Sequence, residues 1–258
     1  MILTIDIGNT NSVIGLYDKR DLIGFYRLSS RDTITIDEIG FQLKSICDLH
    51  NLSSGDIEGA AISSVVPSLT ASYNKAISKY YNIDPLVLTY ETECGLIIDY
   101  DIPNQVGADR IADAVAAYDR CGGPTIIVDF GTAITVDVVS RDGRYLGGAI
   151  APGVEASLAG LSKKAAQLFQ VPLNAPSRCL GKNTVESIQA GIVYGTVGLI
   201  DELVGRITNE MGEPIKKVIA TGGFADMVFG ISKTIEEIIP TLTLEGLNLI
   251  YYKLISKT

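Results

Sequence analysis

One pattern constrains the fold of this chain more than any other, and it occurs twice. Ile2-Leu3-Thr4-Ile5-Asp6-Ile7-Gly8-Asn9-Thr10-Asn11 reads as a buried strand that ends in an Asp-x-Gly turn. Ser12 to Asp18 and Asp21 to Leu28 follow as two more strands. Thr125-Ile126-Ile127-Val128-Asp129-Phe130-Gly131-Thr132 repeats the opening. Ala133 to Val139 is its second strand, Asp142-Gly143 a hairpin turn, and Tyr145 to Ile150 the return. A repeat this long is no solenoid period. It predicts two duplicated α/β domains facing each other across a cleft, 1–117 and 118–258, with the break at Cys121-Gly122-Gly123-Pro124.

Between and after these meanders the spacing turns helical. Helices are expected over 36–49, from Pro67 to Tyr80, from Ile111 to Tyr118, and from Val154 to Phe169. A long one runs from Asn183 to about Asn209, with Asn183 and Glu186 placed for a capping box. Its small residues Ala190, Gly191, Gly195 and Gly198 permit close packing of backbones. Ala60 to Val66, Leu86 to Leu88 and Lys217 to Thr221 read as strands, and Thr243 to Ser256 as a last helix.

The 258 residues allow one large or two small cores, and the net charge of -9 argues against broad nucleic-acid binding. A small anionic ligand is still compatible with that charge, because backbone N–H groups can hold one. Cys47, Cys94, Cys121 and Cys179 form no C-x-x-C pair, so free thiols in a reducing cytoplasm are expected. No apolar run reaches the roughly 20 residues of a membrane span, and the N-terminal run lacks the basic start of a signal peptide.

The chemistry-bearing residues cluster at strand ends. The turn at Asp6-x-Gly8-Asn9-Thr10-Asn11 presents backbone N–H groups suited to phosphate oxygens, and Asp6 is placed to hold Mg²⁺ through water. Asp129-Phe130-Gly131-Thr132 echoes it. Gly222-Gly223, after Thr221, would let a nucleoside lie against backbone, or would serve only as a flexible helix entry. Asp109, in Gly107-Ala108-Asp109-Arg110, opens a helix. It is either a dipole-compensating residue or the base facing a substrate hydroxyl, with Arg110 matching an anionic group. Gly181-Lys182-Asn183 is no Walker A loop, because Pro176 stands where the earlier glycine belongs and Asn183 replaces Ser/Thr. The lone histidine, His50, beside a helix end, supports no triad.

These segments, together with Gly147-Gly148-Ala149-Ile150-Ala151-Pro152-Gly153, Gly181-Lys182-Asn183-Thr184 and Ala220-Thr221-Gly222-Gly223, resemble the type III pantothenate kinases in order and spacing. That family belongs to the acetate kinase, sugar kinase, Hsp70 and actin superfamily, with duplicated ribonuclease-H-like halves. The resemblance implies ATP-dependent phosphorylation of pantothenate, the entry step of coenzyme A synthesis. It implies ATP binding by Asp6, Ile7, Gly8, Asn9, Thr10, Asn11, Ser12, Val13 and Thr132, with Gly222 and Gly223 nearby. Asp109 would accept the proton, and Tyr100, Gly107, Ala108, Arg110 and Thr184 would bind pantothenate, Thr184 across a homodimer. Asp129 would bind a monovalent cation, K⁺ or NH₄⁺. The segment Lys163 to Leu168 carries no substrate assignment. The rival readings are another small-molecule kinase of this superfamily and a binding protein without turnover. Intact Asp6, Asp109 and Asp129 favour an enzyme.

Overall fold

The computed structural model describes residues 1–164 and 171–256. The chain divides into two compact units, Met1–Ala116 with Thr241–Thr258, and Ala117–Pro240.

The first unit opens with a meander, β1 (Ile2–Ile7), β2 (Asn11–Asp18) and β3 (Asp21–Ser29), each strand antiparallel to the one before. Helix α1 (Ile36–Leu49) then leads to β4 (Gly59–Ser64), which joins β1 in parallel. Helix α2 (Pro67–Tyr81) leads to β5 (Leu86–Val87), parallel to β4. The strand order is therefore β3-β2-β1-β4-β5. A short β6 (Ile97–Ile98) and helix α3 (Ala108–Cys121) follow, and α3 runs through the point where the units divide.

The second unit repeats the plan. The strands β7 (Thr125–Phe130), β8 (Ala133–Val139) and β9 (Arg144–Pro152) form its meander. Helices α4 (Val154–Lys164) and α5 (Thr184–Met211) lead to β10 (Lys217–Thr221), parallel to β7. A short helix, α6 (Ala225–Val228), precedes β11 (Glu237–Ile238), parallel to β10. The order β11-β10-β7-β8-β9 is the first unit's order over again. Helix α7 (Leu242–Ile255) closes the described chain.

Period-two alternation decides which face of each sheet is buried against helices. In β1, Leu3, Ile5 and Ile7 pack with Ile14 and Leu16 of β2 against Ile39, Leu43 and Ile46 of α1 and Leu69, Tyr73 and Ile77 of α2. Burial of each such side chain contributes about 1.5–3 kcal/mol. Helix α1 begins at Thr35, whose hydroxyl accepts from the Glu38 N–H while the Glu38 carboxylate accepts from the Thr35 N–H at 2.8 Å. In the second unit Ile126, Val128 and Phe130 pack with Ile134 and Val136 against Val197, Ile200 and Val204 of α5.

The opposite face of the first sheet carries Ile2, Thr4 and Asp6, and α7 covers it, with Leu244 packing on Ile2 and Tyr17. Gly15 makes room: a Cβ there would lie 3.0 Å from the Leu244 side chain and would collide with the Thr4 hydroxyl. The C-terminal helix therefore belongs with the first unit, a correction to the expected 118–258 boundary. Its cause is an apolar stripe on α7 that matches the face left bare by α1 and α2. Gly246 of α7 meets the Ala112 backbone of α3, and the Thr243 hydroxyl donates to buried Asp113 at 2.7 Å.

Two further expectations change. The Asn183 side chain accepts from the Glu186 N–H at 2.9 Å, but the Glu186 carboxylate takes the Lys182 N–H instead of closing the box. A Cβ on Gly191, Gly195 or Gly198 of α5 would meet no described atom beyond its own helix within 4 Å, so no described backbone packs closely there. The predicted 154–169 helix is seen to Lys164; Ala165 to Gln170, and with them most of the Lys163–Leu168 segment, lie outside the described residues.

Gly246→Ala tests the docking of α7. The new methyl would meet the Ala112 carbonyl, a backbone atom that cannot step aside. The expected loss is about 2 kcal/mol, read as a Tm about 4–8 °C lower by calorimetry.

Candidate active site

The turn between β1 and β2 is held from three directions. The Gly8 N–H donates to the Asn11 carbonyl at 3.0 Å. The Ser30 hydroxyl, just past β3, donates to the Gly8 carbonyl at 2.7 Å, and the Ser30 N–H donates to the Thr10 carbonyl at 2.9 Å. The Ser12 and Ser30 hydroxyls are 3.0 Å apart. A Cβ on Gly8 would sit 3.0 Å from the Asn11 carbonyl, so the turn itself calls for glycine. The Gly8 N–H is satisfied inside the turn, and Asn9 and Thr10 beyond it are exposed.

Asp6 ends β1 on the α7-covered face. Its carboxylate accepts from the Ser63 hydroxyl at 3.0 Å, across the β1–β4 pairing. Burial pushes its carboxyl up to about 7, and the charge of Asp109 adds to the rise. The Ser63 hydrogen bond and the Arg27 charge pull it back. Asp109 lies in the first turn of α3 and accepts from the Arg110 N–H at 2.8 Å. Its carboxylate folds over Gly107, where a Cβ would collide with it, so Gly107 has a steric reason to be glycine. Ala108 and Arg110 are buried, and Tyr100 is half-buried in the preceding loop.

The second unit gathers another part of the set. Asp129 ends β7 opposite Thr221 of β10. Gly222, at φ +90°, stands so close that a Cβ would meet the Asp129 carboxylate and the Phe130 backbone. A Cβ on Gly131 would lie 3.2 Å from the other Asp129 oxygen. Gly153 abuts the carbonyls of Gly131 and Thr132. Asp129, Gly131, Thr132 and Gly222 are thus one cluster, with Gly223 beside it in sequence. Thr184 is the exposed first residue of α5 and lines an open pocket of about 550 Å³ with Lys182, Ser187, Ile188 and Leu161. Gly181 packs on the first turn of α5, where any Cβ would strike the Ser187 N–H. Its place in the sequence is explained by that contact and not by a phosphate.

Sequence reasoning missed Ser63, Ser30 and Arg27. Ser63 was detectable in principle, because a strand beside β1 must place one residue against Asp6. Among the described residues no group of three or more His, Cys, Asp or Glu side chains could hold a metal. A cation at Asp6 would therefore complete its shell with water and phosphate oxygens, as Mg²⁺ prefers. The raised Asp6 carboxyl, beside a second carboxylate, fits such a cation, which would relieve both charges.

Two such units, each a β3-β2-β1-β4-β5 sheet with helices between its parallel strands, define a duplicated ribonuclease-H-like fold, that of the actin-like ATPases and sugar kinases. Solved structures share it. A conserved putative Baf family transcriptional activator from Campylobacter jejuni is 21% identical over 98% of this chain and 99% of its own, with a TM-score of 0.58. Component A of the Acidaminococcus fermentans (R)-2-hydroxyglutaryl-CoA dehydratase is 14% identical over 99% and 98%, with a TM-score of 0.57. A ROK hexokinase from Thermus thermophilus is 12% identical over 98% and 99%, with a TM-score of 0.53. At such identities the likeness is one of fold. The family is given by the sequence itself: the type III pantothenate kinase model matches residues 2–206, and the chain belongs to that family of kinases. Gly222 and Gly223 lie beyond the matched range.

The Asp6 carboxyl generates a prediction about pH. Its native pKa stands above the ordinary 3.8, so the folded chain holds a proton that the unfolded chain releases between those values. Stability on this account is full below about pH 4 and is lost as pH rises toward 7. Asp6→Asn removes the penalty. In metal-free buffer with chelator, the variant should be more stable than wild type by about 4 kcal/mol at about pH 8 and equal to it near pH 4. Equal melting curves at both pH values would show that the carboxylate carries no such cost.

Proposed function

We propose that this kinase phosphorylates the terminal hydroxyl of pantothenate with ATP, opening coenzyme A synthesis. The observation that carries the reading is the Asp6–Asp109 pair: a buried carboxyl at the turn after β1, raised by its burial and by the charge of Asp109 at the start of α3. Family membership supports pantothenate as the acceptor.

In the first unit, Asp6 to Val13 takes the nucleotide phosphates, and Asp6 would hold Mg²⁺. Bound there, the ion offsets phosphate charge. Tyr100, Gly107, Ala108 and Arg110 receive pantothenate, whose carboxylate suits a buried guanidinium. In the second unit, Thr132, Gly222 and Gly223 serve the nucleotide, and Asp129 with its neighbouring carbonyls takes K⁺ or NH₄⁺. The bond from the γ-phosphorus to the ADP oxygen breaks, and a new bond forms to the pantothenate oxygen. The hydroxyl proton passes to Asp109. An ordinary aspartate is a weak base for an alcohol, but the transition state is loose and the proton leaves late. Asp109 therefore orients the hydroxyl as much as it deprotonates it, and placement supplies much of the rate.

A second copy of the chain completes the pantothenate pocket through Thr184. The open glycine positions of α5, Gly191, Gly195 and Gly198, leave room for a second helix to approach. No helix among the described residues is long and apolar enough to cross a membrane, and all four cysteines are free. We place the reaction in the cytoplasm.

Wild-type protein with ATP, Mg²⁺ and K⁺ or NH₄⁺ should form phosphopantothenate, detected by mass spectrometry. Asp109→Asn should keep nucleotide affinity and lose about 100-fold or more in kcat. A folded Asp109→Asn protein with normal turnover would remove Asp109 from the role of base. Asp129→Asn should abolish the response to the monovalent ion. Gly195→Arg should shift light scattering from dimer to monomer.

A further inference from the structure

The first unit holds a cation that the assignments above leave unused. Asp6 pairs with Val13 of β2, and Val13 pairs with Arg27 of β3. Asp6 also pairs with Ser63 of β4. Directly opposed residues point to the same face, so Arg27, Val13, Asp6 and Ser63 form one row across the sheet. Strands lie about 4.8 Å apart, which puts the Arg27 and Asp6 backbones about 10 Å from one another. An arginine and an aspartate side chain can share the space above Val13.

Arg27 is exposed, and among the described residues it makes no hydrogen bond and no ion pair. The carboxylate that senses its charge is Asp6. Its neighbours on the same face of β3, Ile23 and Phe25, are exposed and apolar, so the edge is not generally charged. The duplication offers an internal control. In the second unit the same row reads Ile150, Thr135, Asp129 and Thr221, by the pairings of Asp129 with Thr135 and of Thr135 with Ile150. Ile150 is 64% exposed, so the fold itself asks for no arginine at this place. Arg27 belongs to the first unit alone, in the row of the residue whose partner across the site is Asp109.

Resting on the kinase reading above, we propose that Arg27 binds the terminal phosphate of the nucleotide and neutralises charge on the phosphoryl group as it moves toward the acceptor beside Asp109. The site crowds two carboxylates and a polyphosphate into one end of a chain of net charge -9. A planar guanidinium can give two hydrogen bonds to a phosphoryl group. Charge supplied where the transition state spreads it over the equatorial oxygens is the term that arginines contribute in phosphoryl transfer. Because Arg27 makes no hydrogen bond or ion pair among the described residues, none has to break when it engages.

The test compares wild type, Arg27→Gln and Arg27→Lys, each checked for fold by circular dichroism and melting. Calorimetry gives Kd for ADP and for a non-hydrolysable ATP analogue, with Mg²⁺ and without any acceptor. Steady-state kinetics with pantothenate give kcat and KM. Arg27→Gln should weaken analogue binding about 10-fold or more while ADP binding changes less than about 3-fold. It should lower kcat by about 100-fold or more with the pantothenate KM nearly unchanged, and Arg27→Lys should recover part of the loss. Equal loss for ADP and analogue would overturn the assignment to the terminal phosphate. Wild-type binding and kcat in Arg27→Gln would overturn the proposal outright. Failure of wild type to phosphorylate pantothenate would count against the acceptor assignment only, and the ADP-against-analogue comparison would still decide the role of Arg27.

Discussion

Two carboxylates held at one end of a sheet set the terms for the first unit. Asp6 is tied to β1 by the ladder, and Asp109 to the start of α3, so neither can retreat from the other without moving an element. Proteins meet such crowding with opposite charge, hydrogen bonds or a retained proton. All three are present here. Ser63 donates to Asp6, Arg27 stands in its row, and the Asp6 carboxyl rises to about 7. A cation bound between them, as the proposed function places one, would let both carboxylates ionise together.

The duplication clarifies which residues are architecture and which are chemistry. Both sheets have the same order and the same pairing of meander strands. Leu3, Ile5 and Ile7 in one unit correspond to Ile126, Val128 and Phe130 in the other, each set facing helices. Those positions are core. The rows at the strand ends have diverged, Arg27-Val13-Asp6-Ser63 against Ile150-Thr135-Asp129-Thr221. The aspartate survives in both, yet its surroundings differ, a hydroxyl and a cation in one, two close glycine backbones in the other.

Much of this was visible in the sequence because period and punctuation are local. The strand ending in Asp6, its echo ending in Asp129, the helical spacing of α1 and the Pro67 start of α2 all follow from neighbours in the chain. The bounds of β8 and β10 agree with those expected from alternation. What escaped depends on distant pairing. Ser63 reaches Asp6 from 57 residues away, and Ser30 reaches the Gly8 carbonyl from 22 away. The two-residue strands β6 and β11 carry too little pattern to register. Helix α7 looked like the natural end of the second half because it follows β11. Its destination is set by which face of the first sheet remained uncovered, and no local signal states that. Gly107, Gly181 and Gly246 are each a point of close approach that no local pattern marks.

The return of the last helix to the first unit has a consequence for how the chain is made. Residues 117–240 are contiguous, so the second unit can form as soon as its own stretch leaves the ribosome. The first unit's sheet comes before it in the chain, yet the face bearing Ile2, Thr4 and Asp6 has no cover until Leu242–Ile255 has been made. At about 5–20 residues per second, the stretch from Ala117 to Ile255 takes roughly 7–28 seconds. The sheet that precedes the second unit in the chain is therefore completed after it.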